Sequence, residues 1–200
     1  MLSIPISAAV EGIVDEAALR RIARLSGVDL GTIYVTRGKD QLDRRLDGFN
    51  AAARRFPWLV LRDLDNDAGC APTLVRHLLA VPSEHMDLRI PVRSLEAWLL
   101  ADRKNLASFL RLSSDLIASE PEKVERPKLE MVSLARRSRS GPIRRDMVPE
   151  EGISARVGPG YTARLIEFIN DHWQPHEAAQ RSDSLARCLR TMERFAAPGL

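Results

Sequence analysis

The N-terminal half of the chain alternates between short apolar runs and longer segments whose apolar residues recur at the spacing of one helix face. The short runs contain β-branched or aromatic residues, which are typical of strands. The predicted strands are Ser3–Val10, Thr32–Thr36, Trp58–Leu61 and Met86–Val92, and the predicted helices between them are Asp15–Gly27, Gln41–Arg55 and Pro72–Leu79. Strands that alternate with helices predict an α/β fold, with a mostly parallel sheet flanked by helices.

After Val92 the alternation stops, and the pattern becomes helical and then polar. The predicted segments are short helices at Ser94–Ala101 and Lys104–Leu110, a polar, proline-punctuated stretch at Ser113–Gly158, and closing helices at Tyr161–Asp171 and His176–Phe195. We find no convincing domain boundary. We therefore predict a single domain over residues 1–200, with an α/β core to about residue 110 and a helical, basic C-terminal extension from about residue 111.

The composition is that of an ordinary globular protein, because 44% of the residues are hydrophobic and 28% are charged. No apolar run approaches the ~20 residues that a membrane helix needs, and the N-terminus lacks the basic region of a signal peptide. Cys70 and Cys188 fit no metal-ligand spacing and are expected to be free thiols. We therefore expect a cytoplasmic protein without a membrane segment.

Acidic residues follow two of the predicted strands. Glu11 comes directly after the first strand, and Asp63 and Asp65 come after the third. Polar sites in parallel sheets gather at the carboxyl ends of strands, so these acids converge if the two strands are neighbours. Extended backbone would point Asp63 and Asp65 the same way, and crowded carboxylates favour a hard cation such as Mg²⁺ or Mn²⁺. The alternative is that the aspartates belong to a loop and cap the following helix.

Four further acids lie near these residues in the sequence or in the predicted fold. Asp15 is predicted to be the N-cap of the first helix. Glu16 fits either a metal ligand or a first-turn acid favoured by the helix dipole. Glu96 has apolar neighbours, so its carboxylate must find a partner or reach an edge, and we expect it at the edge of the acidic site. Asp67 is expected to be an ordinary loop residue.

A basic segment from Lys123 to Arg145 contains eight lysines or arginines and only two acids. In many proteins such a segment is simply a solvated face. Arginine also binds phosphate through two parallel hydrogen bonds, so the segment is suited to contact a nucleic-acid backbone. Lys128, Arg136 and Arg137 are the residues that we expect to bind phosphate.

The residues around the acids resemble the Toprim domain, which is shared by topoisomerases, bacterial primases and the overcoming-lysogenization-defect nucleases. The matching residues are Val10-Glu11-Gly12, Asp15-Glu16 and Asp63-Leu64-Asp65. Over nearly its whole length the chain is similar to a bacterial family of Toprim-like proteins of unknown function. The sequence segments that carry this similarity are VEGIVDE, PWLVLRDLDNDAGCAPTLV, RIPVRSLEAWLLAD, LARRSRS and VGPGYTARLIEF. The resemblance implies a Toprim-like version of the α/β fold.

The resemblance also implies roles for the matching acids. Glu11 matches the Toprim glutamate, which is assigned general acid–base or metal-binding work. Asp63 and Asp65 match the metal-binding pair of aspartates. Asp15 and Glu16 match, more loosely, acids near a second metal.

From these residues and the resemblance, we expect a nuclease that hydrolyses nucleic-acid phosphodiester bonds with Mg²⁺ or Mn²⁺. Glu11, Asp63 and Asp65 would hold the metal, with Glu16 and Glu96 at the margin of the site. The resemblance further suggests an effector of phage defence with an ATPase partner. One alternative is a Toprim-like subunit of an ATPase complex that binds nucleic acid without cutting it. Another is a nucleotidyl or glycosyl transferase in which the two aspartates hold a metal–diphosphate.

Overall fold

The computed structural model describes residues 5–152 and 154–197. The strands within these residues are β1 (Ile6–Val10), β2 (Leu30–Val35), β3 (Trp58–Leu61) and β4 (Met86–Arg89). They form one sheet in the order β2-β1-β3-β4, and all neighbouring strands are parallel. The predicted α/β fold with a parallel sheet is therefore confirmed. Ser3 and Ile4, which belong to the first predicted strand, lie outside the described residues.

Three helices connect the strands: α1 (Ile13–Ser26), α2 (Lys39–Ala52) and α3 (Ala71–Leu78). The prediction that Asp15 is the N-cap of α1 is wrong, because Gly12 takes that position. Asp15 lies in the first turn, where its carboxylate accepts a hydrogen bond from the Gly12 N–H at 2.8 Å. It thereby satisfies a backbone donor at the start of the helix. The helix ends at Gly27, whose φ of 68° is left-handed and favours glycine.

The two central strands form the core of the sheet. Ala8 and Ala9 in β1 and Leu59 and Val60 in β3 are all 0% exposed, which shows that helices cover both faces. The predicted apolar stripe of α2 packs against this core through Leu42, Leu46 and Phe49. The packing fixes β1 and β3 side by side, so their carboxyl ends meet at one edge of the sheet.

The chain divides into two compact units. The first comprises the residues up to Val92 together with those from Ser184 onward, and the second comprises Arg93–Asp183. The helices of the second unit are α4 (Leu95–Ala101), α5 (Arg103–Leu110), α6 (Pro127–Arg136), α7 (Gly141–Met147), α8 (Tyr161–Asp171) and α9 (Pro175–Ala178). The second unit thus begins at Arg93, whereas the sequence pattern placed the start of the extension near residue 111. The second unit begins this early because α4 packs against α6 and α9, which belong to the same unit.

Two parts of the helical region differ from the prediction. Helices α6 and α7 lie inside the stretch that was predicted only as polar. They form there because apolar residues such as Met131 and Met147 give each helix a buried side. The predicted single helix His176–Phe195 is wrong. Helix α9 ends at Ala178, and α10 (Asp183–Ala196) starts after a break in which the buried Ser182 hydroxyl donates to Glu122 at 2.6 Å.

Two simpler expectations concern the thiols and the membrane. Cys70 and Cys188 are both free cysteines, as predicted, and burial raises the pKa of Cys188 to about 12. Across the described ranges, no helix is both long enough and apolar enough to cross a bilayer.

Candidate functional site

The ends of β1 and β3 bring Glu11 and Asp63 together. These strands are direct neighbours in the sheet, and each residue lies just beyond the end of its strand. One carboxylate oxygen of Glu11, Oε1, accepts a hydrogen bond from the Asp63 backbone N–H at 2.8 Å. The predicted convergence of Glu11 and Asp63 at the carboxyl edge of the sheet is therefore confirmed.

The Glu11 carboxyl group lies in an environment that disfavours its charge. Its side chain is only 16% exposed. Burial raises the pKa of Glu11 from 4.5 to about 7, and the nearby carboxylates of Asp15 and Asp65 contribute to the rise. The Asp63 N–H and the Arg62 guanidinium oppose the rise without cancelling it. Glu11 can therefore exchange a proton near neutral pH.

Arg62 is a buried cation among the acids, and it is not one of the site residues predicted from the sequence. Its side chain is 3% exposed. The guanidinium Nη2 lies 2.6 Å from Asp67 and 3.1 Å from Asp43, and Nε lies 3.9 Å from Glu11. Another of its nitrogens donates to the Asp63 carbonyl oxygen. Arg62 directly follows the apolar strand β3, and a charge buried at such a place must find partners. This position in the sequence could have identified Arg62 as a member of the site.

Lys39 supplies a second cation from the first residue of α2. Its Nζ donates to Asp65 Oδ2 at 3.0 Å and to both carboxylate oxygens of Asp67 at 2.9 Å. These hydrogen bonds, with Asp67 first, raise the pKa of Lys39. Burial alone would raise the pKa of Asp67, but hydrogen bonds from Lys39 and Arg62 outweigh this effect and lower it. Asp67 lies in a loop as predicted, but it is also a member of the cluster.

The backbone around Asp65 is not extended. The prediction that the Asp63 and Asp65 side chains point the same way depended on an extended backbone. Strand β3 ends at Leu61, and Asp65 has a φ of 47°, in the left-handed region. The alternation of strand side chains therefore does not apply to Asp63 and Asp65. The alternative prediction, that an aspartate caps the next helix, is also wrong, because the N-cap of α3 is Cys70.

The other acids predicted for the site have local partners. Glu16 accepts two hydrogen bonds from Arg20, at 2.8 and 2.9 Å, on the surface of α1. Glu96 belongs to the second unit, where it accepts hydrogen bonds from Ser94 at 2.7 Å and Tyr161 at 3.3 Å. The sequence required the Glu96 carboxylate either to find a partner or to reach an edge, and the structure shows that it finds partners.

The predicted phosphate-binding residues lie at one helix of the second unit. Lys128 is in α6, Arg136 is its last residue, and Arg137 follows it. All three side chains are exposed. The Lys128 ammonium also lies 5.6 Å from the centre of the Tyr161 ring, a distance at which a cation is attracted to an aromatic face. Their role in phosphate binding stays a prediction.

The acids fit a metal in their chemistry, but the arrangement contains other cations. Within residues 5–152 and 154–197, no three Asp, Glu, His or Cys side chains are placed to hold a metal ion. The predicted group of Glu11, Asp63 and Asp65 is therefore not assembled, because Glu11 meets the backbone of Asp63. The Lys39 ammonium instead forms ion pairs with Asp65 at 3.0 Å and with Asp67 at 2.9 Å. Carboxylate oxygens of this kind suit Mg²⁺ and Mn²⁺.

Comparisons with known proteins provide no relative for this chain. No protein-family model matches it, and no curated protein or solved structure matches it either.

Proposed function

We propose that the protein is a Toprim-like nuclease that hydrolyses nucleic-acid phosphodiester bonds with Mg²⁺ or Mn²⁺. The observation that supports this proposal is the hydrogen bond between Glu11 and the Asp63 N–H at the ends of adjacent strands. It brings the glutamate and the start of the aspartate pair to one sheet edge, as the resemblance implies. Catalytic groups in open parallel sheets gather at such an edge.

Glu11 is the residue best suited to move a proton. A general base works best when its pKa lies near the operating pH, and burial raises the pKa of Glu11 to about 7. The Asp63 N–H holds Oε1 in place, so the carboxylate keeps a defined position. In this proposal Glu11 accepts the proton of the attacking water.

In this proposal Asp63 and Asp65 would hold the metal while Glu11 acts as the base, and Asp67 adds a third carboxylate because it shares the Lys39 ammonium with Asp65. When bound, the ion neutralises charge on the phosphate and lowers the pKa of a bound water. Arg62 balances the charge of these acids, since its buried guanidinium contacts Asp67 and lies near Glu11.

The exposed basic residues of α6 would contact the nucleic-acid backbone. Lys128, Arg136 and Arg137 present positive charge to solvent, and phosphate contacts of this kind position a nucleic acid without reading its sequence. We further propose that the protein works in the cytoplasm as an effector of phage defence, together with an ATPase partner. Recovery of an ATPase on purification from native cells would test that part of the proposal.

One observation favours a second function, that of a non-catalytic subunit that binds nucleic acid. The acids of the cluster are already paired with protein cations: Lys39 contacts Asp65 and Asp67, and Arg62 contacts Asp43 and Asp67. A site whose charges are balanced internally has less need of a metal. In this alternative the acidic cluster is structural, and the basic face of α6 carries the function.

Incubation of the purified protein with labelled DNA and RNA separates the two functions. Each reaction contains Mg²⁺, Mn²⁺ or EDTA, and the variants are Glu11→Gln and Asp63→Asn. Asp47→Asn, an exposed acid of α2, is the matched control. Metal-dependent cleavage that both variants lose and the control keeps supports the nuclease. Binding of nucleic acid without cleavage in any metal supports the non-catalytic subunit.

A further inference from the structure

The second unit contains a surface cleft of about 580 Å³ beside the end of α5. The residues that line it are Arg111, Leu112, Ser113 and Arg139. The first three follow α5 directly, and Arg139 lies in the turn between α6 and α7. The Arg139 N–H donates to the Arg111 carbonyl oxygen at 3.4 Å, which ties the two walls of the cleft together. Binding sites for small ligands have volumes of about 300–1,000 Å³, so the cleft has the size of such a site.

The charge of the cleft comes from Arg111 and Arg139. Among the residues that the structure describes, neither guanidinium takes part in an ion pair or a hydrogen bond. Asp115, an acid that contacts the lining of the cleft, meets the Ser113 hydroxyl at 3.3 Å. Two guanidinium groups at one cleft repel each other, and an anion between them removes that repulsion. The cleft therefore favours an anionic ligand.

The backbone of Arg111 also sets this residue apart. Arg111 is the C-cap of α5, and its φ of 51° and ψ of 51° are left-handed. Glycine usually occupies this conformation at the end of a helix, because a Cβ is disfavoured there. The chain thus places a long cationic side chain where the backbone alone favours glycine. Residues in such strained conformations cluster at binding sites, so the conformation of Arg111 points to a role for its guanidinium.

We propose that this cleft binds the phosphate group of a nucleotide, held between the guanidinium groups of Arg111 and Arg139. Arginine presents parallel N–H donors whose geometry matches the oxygens of a phosphate. The Ser113 hydroxyl supplies a further donor at the same cleft. Leu112 and the methylene stems of the arginines give the sugar an apolar surface to contact.

The source of the phosphate that the surroundings favour is a nucleic-acid strand. Arg139 lies two residues beyond Arg137, so the cleft is next to the basic end of α6. This inference rests on the proposed nucleic-acid binding, and it applies to a nuclease and to a non-catalytic subunit alike. It adds a defined phosphate position to the exposed charges of Lys128, Arg136 and Arg137. A free nucleotide carries the same phosphate chemistry, and the test separates the two sources.

The test is fluorescence anisotropy of a labelled single-stranded oligonucleotide at several salt concentrations, in EDTA so that no metal-dependent cleavage occurs. The variants are Arg111→Gly, Arg139→Met and the two together. Arg111→Gly removes the guanidinium and supplies the residue that the left-handed backbone favours, so it should be at least as stable as wild type in urea. Replacing Arg54 and Arg55 with Met is the charge-matched control, because both residues are exposed in the first unit.

Each single variant should bind the oligonucleotide about tenfold more weakly, because it loses a charged hydrogen bond to the phosphate. Both arginines hold the same phosphate, so the double variant loses one phosphate contact and its salt slope should fall by ~0.7. Its affinity loss should be smaller than the product of the two single losses. A fall of ~1.4 would mean that the arginines contact separate phosphates, which contradicts a shared site. An equal loss in the Arg54 and Arg55 control would show that net charge alone is responsible and would also overturn the inference.

Three further outcomes separate this inference from the proposed function. Wild-type affinity in both single variants, with weaker binding when Arg136 and Arg137 are replaced, would overturn the inference and leave the proposed nucleic-acid binding in place. A parallel calorimetric titration uses adenosine monophosphate at constant ionic strength. If wild type binds this nucleotide but no oligonucleotide, and the double variant binds neither, the phosphate site stands and the strand is excluded as its source. If wild type binds neither probe, the inference and the proposed nucleic-acid binding both fail.

Discussion

The Glu11 carboxylate accepts a hydrogen bond from the backbone N–H of Asp63, although the two residues are 52 positions apart in the sequence. The bond ties the carboxyl ends of β1 and β3 together. It also holds the glutamate in a buried place, where desolvation raises the pKa of Glu11 to about 7. The structural link and the shifted pKa therefore have the same cause, which is the position of Glu11 at this sheet edge.

The raised pKa of Glu11 predicts how the stability of the protein depends on pH. Glu11 titrates at 4.5 in the unfolded chain and at about 7 in the fold, so the folded state holds its proton more tightly. This contribution is fully present below pH 4.5 and is lost as the pH rises through about 7. Relative to Glu11→Gln, wild type should lose roughly 3 kcal/mol of unfolding free energy over this range.

The comparison uses urea unfolding in EDTA at several pH values, so that no metal contributes. Glu11→Gln is close in shape to wild type, and its side-chain oxygen can still accept the hydrogen bond from the Asp63 N–H. Asp47→Asn, on the exposed face of α2, should follow the wild-type curve. Parallel curves for wild type and Glu11→Gln would show that Glu11 has an ordinary pKa.

The sequence predicted the meeting of Glu11 and Asp63 because it depends only on topology. Parallel strands end at the same edge, and a strand pair buried on both faces shows itself as unbroken apolar runs. The contacts of Lys39 and Arg62 could not be predicted in this way. They depend on a left-handed turn at Asp65 and on the reach of long side chains, neither of which leaves a periodic pattern.

The helical unit shows a second limit of sequence patterns. Helix α6 has a buried side that includes Met131 and Leu134, yet the charged residues around them conceal its short apolar stripe. Glu96 was expected at an edge because its neighbours are apolar. Its partner, Tyr161, lies 65 positions later in the sequence, and no local pattern connects the two residues.

Arg62 should be essential for stability, because it is a buried cation with several carboxylate partners. Replacement by Met leaves Asp43 and Asp67 without their shared guanidinium. Removing one partner of a buried ion pair typically costs about 3–5 kcal/mol. Urea unfolding of Arg62→Met should show a loss of this size, whereas Arg54→Met, at an exposed site, should change stability by less than about 0.5 kcal/mol. A small loss for Arg62→Met would mean that the acids do not depend on this cation.

Two glycines in different surroundings should respond in opposite directions to replacement by Ala. A Cβ at Gly158 would lie 2.5 Å from the Asp146 carbonyl oxygen and 2.7 Å from backbone atoms of Met147 and Val148, so the backbone must move. Overpacking of this kind costs about 1–3 kcal/mol. A Cβ at Gly48, inside α2, meets nothing within 4 Å, and Ala there should add roughly 0.5–1 kcal/mol. Urea unfolding of both variants checks this prediction, which a stabilised Gly158→Ala would contradict.

The basic residues at the end of α6 should contribute to nucleic-acid binding through charge alone. Replacing Arg136 and Arg137 with Ala should weaken binding and reduce the salt slope on duplex DNA by ~0.9 for each lost phosphate contact. Fluorescence anisotropy at several salt concentrations measures this slope. Replacing Arg54 and Arg55, two exposed arginines of the first unit, is the charge-matched control. An unchanged slope for the α6 variant would remove these residues from the binding surface.

The carboxylate of Asp63 should be required for stabilisation by metal but not for the fold. Asp63 contacts Glu11 and Arg62 through its backbone, so Asp63→Asn leaves both hydrogen bonds in place. A metal that binds only the folded state adds about 2.7 kcal/mol at one hundred times its dissociation constant. For a chain of this size each kcal/mol raises the Tm by about 2–4 °C. Differential scanning calorimetry with and without Mn²⁺ should therefore show a rise of roughly 5–10 °C for wild type and none for Asp63→Asn. An equal rise in both proteins would exclude Asp63 as a ligand.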